Sequence, residues 1–331
     1  MKDVADLAGV SRTTVSFVIN NVPNANIPQE TRDKVQTAVT QLGYRPNAVA
    51  RGLRAQRTHT IGFISDVIAT TPHAGHMIQG AQDLAWAHDK LLLLINTGGN
   101  QEMKIAAVDM MLERQVEGII YATMYHRAAH PPANIKEVPT VLLGCFCEDS
   151  TLPSVIPDEV LGGYVAVKTL IEKGHRRIGF INSSDNIPAT HGRLQGYQKA
   201  LAAFNIPFDP ALVEADKSAR GSYQATLKLM QKPNPPSAIF CFNDDMAMGT
   251  YDALRNLQLT IPDDVAVIGF DNQELIAPNL YPALTTMELP HYEMGKWAVE
   301  QLLYLIENPD ARGETAVQHK MVCPFIERKS A

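Results

Sequence analysis

From Thr60 onward, short apolar runs of strand length alternate with amphipathic runs of helix length. The strand-like runs are Ile61–Ser65, Leu91–Ile95, Gly118–Ala122, Thr140–Gly144, Arg177–Asn182, Ser237–Phe242 and Val265–Phe270. The helical runs between and after them are Ala74–Ala87, Gln101–Arg114, Glu159–Lys173, Arg193–Phe204, Gly221–Gln231, Asp244–Leu257 and Tyr292–Glu307. Consecutive parallel strands need a crossover, and a helix is the usual one, so this order predicts an α/β body of parallel sheets covered by helices on both faces. A second strand–helix series begins after Pro157–Gly162, which divides the body into two lobes. At 331 residues the chain is long enough for each part to bury its own core.

The first forty residues follow a different pattern. Asp3–Ala8 reads as a short helix with Val4 and Leu7 on one face, and Gly9 supplies a residue that reaches φ > 0 without steric cost. Val10 returns to the core, and Ser11 is a good N-cap for a second helix through Asn20. On that helix Val15, Val18 and Ile19 share the inward face, while Thr13, Ser16, Phe17 and Asn20 share the outward one. A third helix runs from Pro28 to Leu42, with Val35, Ala38, Val39 and Leu42 as its apolar stripe and Gly43 as its stop. A second helix offering small polar residues at its exposed N-terminal end is shaped to enter a DNA major groove.

Charge supports this reading. The net charge of −6 is unevenly spread: residues 1–58 hold eight Lys and Arg against four Asp and Glu, leaving the rest of the chain strongly acidic. A basic tip on an acidic body is the footprint of a nucleic-acid contact. No apolar run approaches the ~18 residues of a membrane span, and the N-terminus has no signal-peptide pattern, so a cytoplasmic protein is expected. The four cysteines fit no zinc spacing. Cys145 and Cys147 read as reduced cysteines near a strand end, the alternative being a thiol pair or a metal site.

Val4-Ala5, Ala8 to Ser11, Thr14 to Ser16, Gly43 to Asn47 and Ala50 to Leu53 together resemble the head of the LacI/GalR family of transcriptional regulators. The likeness continues through most of the body, whose alternation is similar to the type I periplasmic-binding-protein fold. It implies a helix-turn-helix head at 1–46, a hinge helix and linker at 47–59, and an effector-binding and dimerisation domain at 60–331. In that domain the first lobe is approximately 60–157 plus 290–331 and the second approximately 158–289. It also implies DNA contacts from Ser11, Arg12, Thr13, Thr14, Ser16, Phe17 and Asn20 in the head, and from Asn47, Arg51, Leu53 and Arg54 in the hinge. Leu53 takes the place of the wedge that kinks the central base step, a distortion repaid by added contacts to bent DNA. Gly52 lowers helix propensity there by roughly 1 kcal/mol, so the hinge is expected to fold only on DNA. Members usually carry a few residues before the position of Lys2, including a capping Thr, which points to a shortened start here.

Ligands of open α/β sheets bind at the carboxyl ends of strands. Asp66, Asn243 and Asp271 follow strand-like runs, and Arg193 with Gly196 forms an Arg-x-x-Gly run. By resemblance Arg193, Asn243 and Asp271 are effector contacts; a guanidinium, an amide and a carboxylate suit a polyol. Thr71 and His73 occupy a loop where aromatics often line the pocket. Lys217 stands where many members stack an aromatic on the sugar, and a lysine facing the cleft would favour an anionic or strongly hydroxylated effector.

No phosphate-binding loop, dinucleotide fingerprint, zinc-protease motif or nucleophile elbow is present in the sequence. The expectation is therefore a DNA-binding regulator, most simply a repressor. By resemblance it is expected to be a homodimer on a pseudo-palindromic operator, controlled by a carbohydrate-like effector in the inter-lobe cleft, with no cofactor, no metal and no enzymatic activity. The chain ends without a leucine-rich extra helix, which favours a dimer over a tetramer. The alternative is a solute-binding protein or sugar-acting enzyme with no DNA role.

Overall fold

In the computed structural model, the described residues are 1–22, 25–44, 58–71, 74–313 and 316–331, the side chains of 312 and 313 excepted. They form two compact units, Met1–His59 and Thr60–Ala331. The hinge positions Asn47, Arg51, Leu53 and Arg54, and the loop position His73, lie outside the described residues.

The head consists of α1 (Lys2–Ala8), α2 (Arg12–Ile19) and α3 (Gln29–Gln41). Gly9 turns the chain with φ 65°, and the Ser11 hydroxyl caps α2 by accepting from the Thr14 amide at 3.0 Å. Val4, Ala5, Val15, Val35 and Ala38 are buried together, with Ala8, Val10, Val18, Ile19 and Val39 packed around them. Two expected core positions are exposed, Leu7 at 48% and Leu42 at 45%. Positions 4, 5 and 8 set the inward stripe of α1, and at 3.6 residues per turn this leaves position 7 roughly 100° away from its centre. Leu42 is the residue that caps α3 and has left the inward face.

In the body, β1 (Thr60–Ser65), β2 (Leu91–Asn96), β3 (Gly118–Ala128), β4 (Thr140–Phe146), β5 (Ser154–Pro157) and β11 (Gln318–Met321) form a parallel sheet in the order β11-β5-β4-β3-β1-β2. A second sheet, ordered β12-β10-β9-β8-β6-β7, contains β6 (Ile178–Ser183), β7 (Val213–Asp216), β8 (Ala238–Cys241), β9 (Ala266–Asp271), β10 (Thr285–Glu288) and β12 (Phe325–Ile326). Its pairings are parallel except that of β12 with β10. One face of the first sheet is covered by α4 (Gly75–Ala87) and α10 (His291–Glu307), the other by α5 (Gln101–Glu113). The second sheet lies between α6 (Glu159–Glu172) with α7 (Pro188–Ala203), and α8 (Ala219–Met230) with α9 (Asp244–Asn256). Covered on both sides, a central strand such as β1 has five of its six residues buried, with Ile61, Phe63 and Ile64 supplying its apolar side chains.

Three helix pairs approach closely enough to require glycine, α8 and α9 among them, where a Cβ on Gly249 would meet the Ala219 carbonyl oxygen at 1.8 Å. A Cβ on Gly80 would meet the Tyr292 carbonyl oxygen at 2.0 Å, which fixes α4 against α10. A Cβ on Gly196 would meet the Val160 carbonyl oxygen at 2.3 Å, which fixes α7 against α6.

The structure corrects the expected lobe boundary. Residues 323–331 were expected in the first lobe, but β12 extends the second sheet and the Ser330 hydroxyl donates to the Val267 carbonyl at 2.6 Å. The chain crosses between sheets after β5, after β10 and after β11. All four cysteines are free, with Cys145 buried and its thiol pushed up to about 12 by burial. No helix among the described residues is long and apolar enough to cross a membrane, and no cluster of metal-ligating side chains occurs among them.

Candidate functional site

A cleft of about 220 Å³ opens where the carboxyl ends of the two sheets meet. Of the residues expected there, Thr71, Arg193, Lys217, Asn243 and Asp271 line it. Asp66 does not line it. Its carboxylate is buried and spent: Oδ1 accepts from the Val67 amide at 2.6 Å and the Met124 amide at 3.0 Å, and Oδ2 accepts from Arg127 at 2.5 Å. An aspartate just after a strand can cap its own loop as readily as it can face a ligand, and here it ties β1 to the end of β3.

Arg193 is the centre of the site. The tight α6–α7 crossing at Gly196 buries it, and its guanidinium lies between the rings of Phe242 and Phe270, with centroids 4.3 and 3.6 Å away. Nε donates to Glu159 at 2.7 Å, one terminal nitrogen donates to the Phe242 carbonyl, and the other lies 3.5 Å from Asp271. Burial opposes the charge, but Glu159 and Asp271 outweigh it and hold the arginine pKa above its ordinary value. Guanidinium carries five N–H donors in a rigid plane, so the three interactions fix its orientation and leave donors for a ligand.

Asp271 ends β9 with φ 102°, in a conformation that aims its side chain into the cleft. Burial raises its carboxyl to about 8, against the pull of Arg193 and with help from Asp244 and Glu159. Asp244 behind it is raised by burial to about 7, although Thr286 Oγ1 and the Gln273 amide both donate to it at 2.7 Å. Asn243 serves as the N-cap of α9, its Oδ1 accepting from the Met246 amide at 2.9 Å, which leaves its amide nitrogen for the cleft. Lys217 is exposed, and its ammonium is paired with Asp185.

Sequence reasoning missed Glu159, His126, Asp185 and Asp245, all on the cleft wall. Glu159 directly follows the α6 cap Asp158 at the first lobe crossing, and that placement was its available signal. The His126 imidazole has Nδ1 sealed without a partner among the described residues, and burial lowers its pKa. Four carboxyl side chains (Glu159, Asp185, Asp245, Asp271) thus share the wall with two basic ones, Arg193 and Lys217.

On the head, the expected DNA-facing residues divide. Arg12, Thr13 and Phe17 are exposed on α2. Ser11 and Thr14 share a hydrogen bond of 2.9 Å at the helix start. Ser16 is only 7% exposed, against expectation, and the Asn20 amide nitrogen donates back to its carbonyl at 2.8 Å and its hydroxyl at 3.2 Å. Position 16 follows Val15 around the helix onto the packed side, so its hydroxyl is used locally.

The family model for bacterial regulatory proteins of the LacI family matches residues 1–47, and that for a periplasmic binding protein-like domain matches 167–331. Over 319 residues the chain is 34% identical to a ribose operon repressor of Haemophilus influenzae, covering 96% of this chain and 95% of that one. The chain belongs to the LacI family. A second relative of this LacI-family chain is the catabolite control protein A of Priestia megaterium, 35% identical over 303 residues, 91% of this chain and 90% of that one. Among solved structures, a LacI-family regulator from Rhizobium etli aligns at TM-score 0.75 with 31% identity over 83% of this chain and 99% of that one. The lac repressor bound to ONPG aligns at TM-score 0.81 with 25% identity over 99% and 98% of the two chains. As a LacI-family member the protein is a DNA-binding regulator with a small-molecule effector domain, and not an enzyme.

Proposed function

We propose that this regulator is an operator-binding repressor whose affinity for DNA is set by one neutral, monosaccharide-sized polyol held in the cleft. The observation that carries the effector class is the Arg193–Asp271–Asn243 constellation: a fixed guanidinium, a carboxyl and a free amide around a cavity of about 220 Å³. A cavity this small lies below the usual range for drug-sized ligands and suits a compact ligand such as one sugar ring. Lys217 would have favoured an anion, but its ammonium is paired with Asp185 and carboxylates outnumber cations on the wall. A neutral ligand with several hydroxyls, able to donate to Glu159 and Asp271 and accept from Arg193 and Asn243, fits this charge pattern better. The relatives named as ribose operon repressors agree with a sugar of this size.

In the head, Arg12, Thr13 and Phe17 are the base-reading side chains, while Ser11 and Thr14 hold the start of α2. The hinge positions Asn47, Arg51, Leu53 and Arg54 complete the DNA contact in this proposal. Two copies of the chain bind a pseudo-palindromic site in the cytoplasm, since a two-fold protein imposes two-fold symmetry on its operator. The cleft is walled by Thr71 and His126 of the first lobe and by Arg193, Asn243 and Asp271 of the second, so a ligand bridging them favours closure.

A thermal-shift panel of pentoses, hexoses and their phosphates tests the effector class. A neutral monosaccharide is expected to raise the melting temperature by mass action and to change operator affinity in the same concentration range. Stabilisation by phosphorylated sugars alone would overturn the neutral-polyol reading.

A further inference from the structure

The exposed surface of α2 is chemically sparse. Its exposed side chains are Arg12, Thr13, Phe17 and Asn20, and the Asn20 amide nitrogen is spent on Ser16. Beside the Asn20 amide oxygen, three readers are left: one cation, one hydroxyl and one aromatic ring. Phe17 is 41% exposed and takes no part in the buried cluster that holds the three helices together. Thr13 precedes it by one turn on the same face, about 6 Å along the helix axis.

A phenyl ring carries no donor or acceptor, so it gains nothing from phosphate oxygens or from the polar atoms on base edges. In the major groove the apolar feature of a base edge is the thymine C5 methyl. We propose that Phe17 reads a pyrimidine C5-methyl group, so that each operator half-site carries a thymine within about two base pairs of the position addressed by Thr13, given ~3.4 Å per base step. The inference rests on the operator-binding reading above and adds what the bound sequence must contain.

The test uses the full chain. Binding sites are selected from a random duplex pool, and each thymine of the recovered half-site is replaced in turn by deoxyuracil, which removes only the methyl. At one position the wild-type chain should bind about fourfold more weakly per half-site, the equivalent of one buried methyl at about 0.8 kcal/mol. Phe17→Ala should bind the unmodified site more weakly and be indifferent to that replacement. Where the same position holds cytosine, C5 methylation should strengthen wild-type binding and leave Phe17→Ala unaffected. Deoxyuracil that is harmless at every position, or equally harmful in Phe17→Ala, would overturn the inference while leaving the regulator reading intact. Failure to select any sequence would overturn both.

Discussion

At the end of β9, Asp271 sits where burial favours its protonated form, with a pKa of about 8. An aspartate in the unfolded chain ionises near pH ~3.9, so the folded state holds the extra proton between these values. Stability therefore falls as pH rises through this window and is lowest above pH 8; Asp244, raised to about 7, adds to the same trend. Asp271→Asn should flatten the pH dependence of the melting temperature of the ligand-free protein between pH 6 and 8.5. Ligand binding runs the other way. A hydroxyl donating to Asp271 favours the carboxylate, so effector affinity should strengthen by up to about tenfold per pH unit below pH 8 in the wild type and stay level in Asp271→Asn. Titrations at four pH values decide it. Arg193→Ala should cost about 3–5 kcal/mol in urea unfolding, because Glu159 is left buried without its cation and Asp271 loses a neighbouring donor. Asn243 and Asp271 were legible in the sequence because each follows a strand-like run, and Arg193 because its Arg-x-x-Gly run resembles the family's. Glu159 and His126 were not, since elements distant in sequence bring them to the cleft.

Between α6 and α7 the spacing is set by backbone meeting backbone. Gly196→Ala would place a Cβ 2.3 Å from the Val160 carbonyl and 2.5 Å from the Tyr164 amide, neither of which can rotate away. The helices must separate, at a cost of about 1–3 kcal/mol or more. Arg193 lies one turn earlier on the same helix, so the substitution should also weaken effector binding; calorimetry of the variant checks both effects. A lowered melting temperature with an unchanged effector affinity would separate the helix spacing from the ligand site. The long elements were legible at this scale because a sustained period survives local noise: each of the seven helices and seven strands expected in the body has its counterpart. The strands that escaped notice, β5, β7, β10, β11 and β12, have between two and four residues, too few to establish an alternation. Helix α7 begins at Pro188 rather than Arg193 because proline suits a first turn, a signal present in the sequence but outweighed by the polar residues after it.

For the molecule as a whole, effector and operator act on one linked equilibrium, so the factor by which effector changes operator affinity must equal the factor by which operator changes effector affinity. Measuring both with the same ligand and duplex should return one number. The two-lobe architecture followed from the alternation of elements, whereas the final placement of the C-terminus depended on a two-residue strand and a serine. Ser330→Ala should destabilise the body by about 1–3 kcal/mol, since the Thr285 amide and the Val267 carbonyl both lose their partner inside the second lobe. The path of the C-terminus has a further consequence for synthesis. The first sheet takes its outermost strand from residues 318–321 and the second from 325–326, within the last fourteen residues of the chain. On the ribosome, the trihelical head has every residue it needs once α3 is made, while both halves of the clamshell stay one strand short until residues 318–326 have followed.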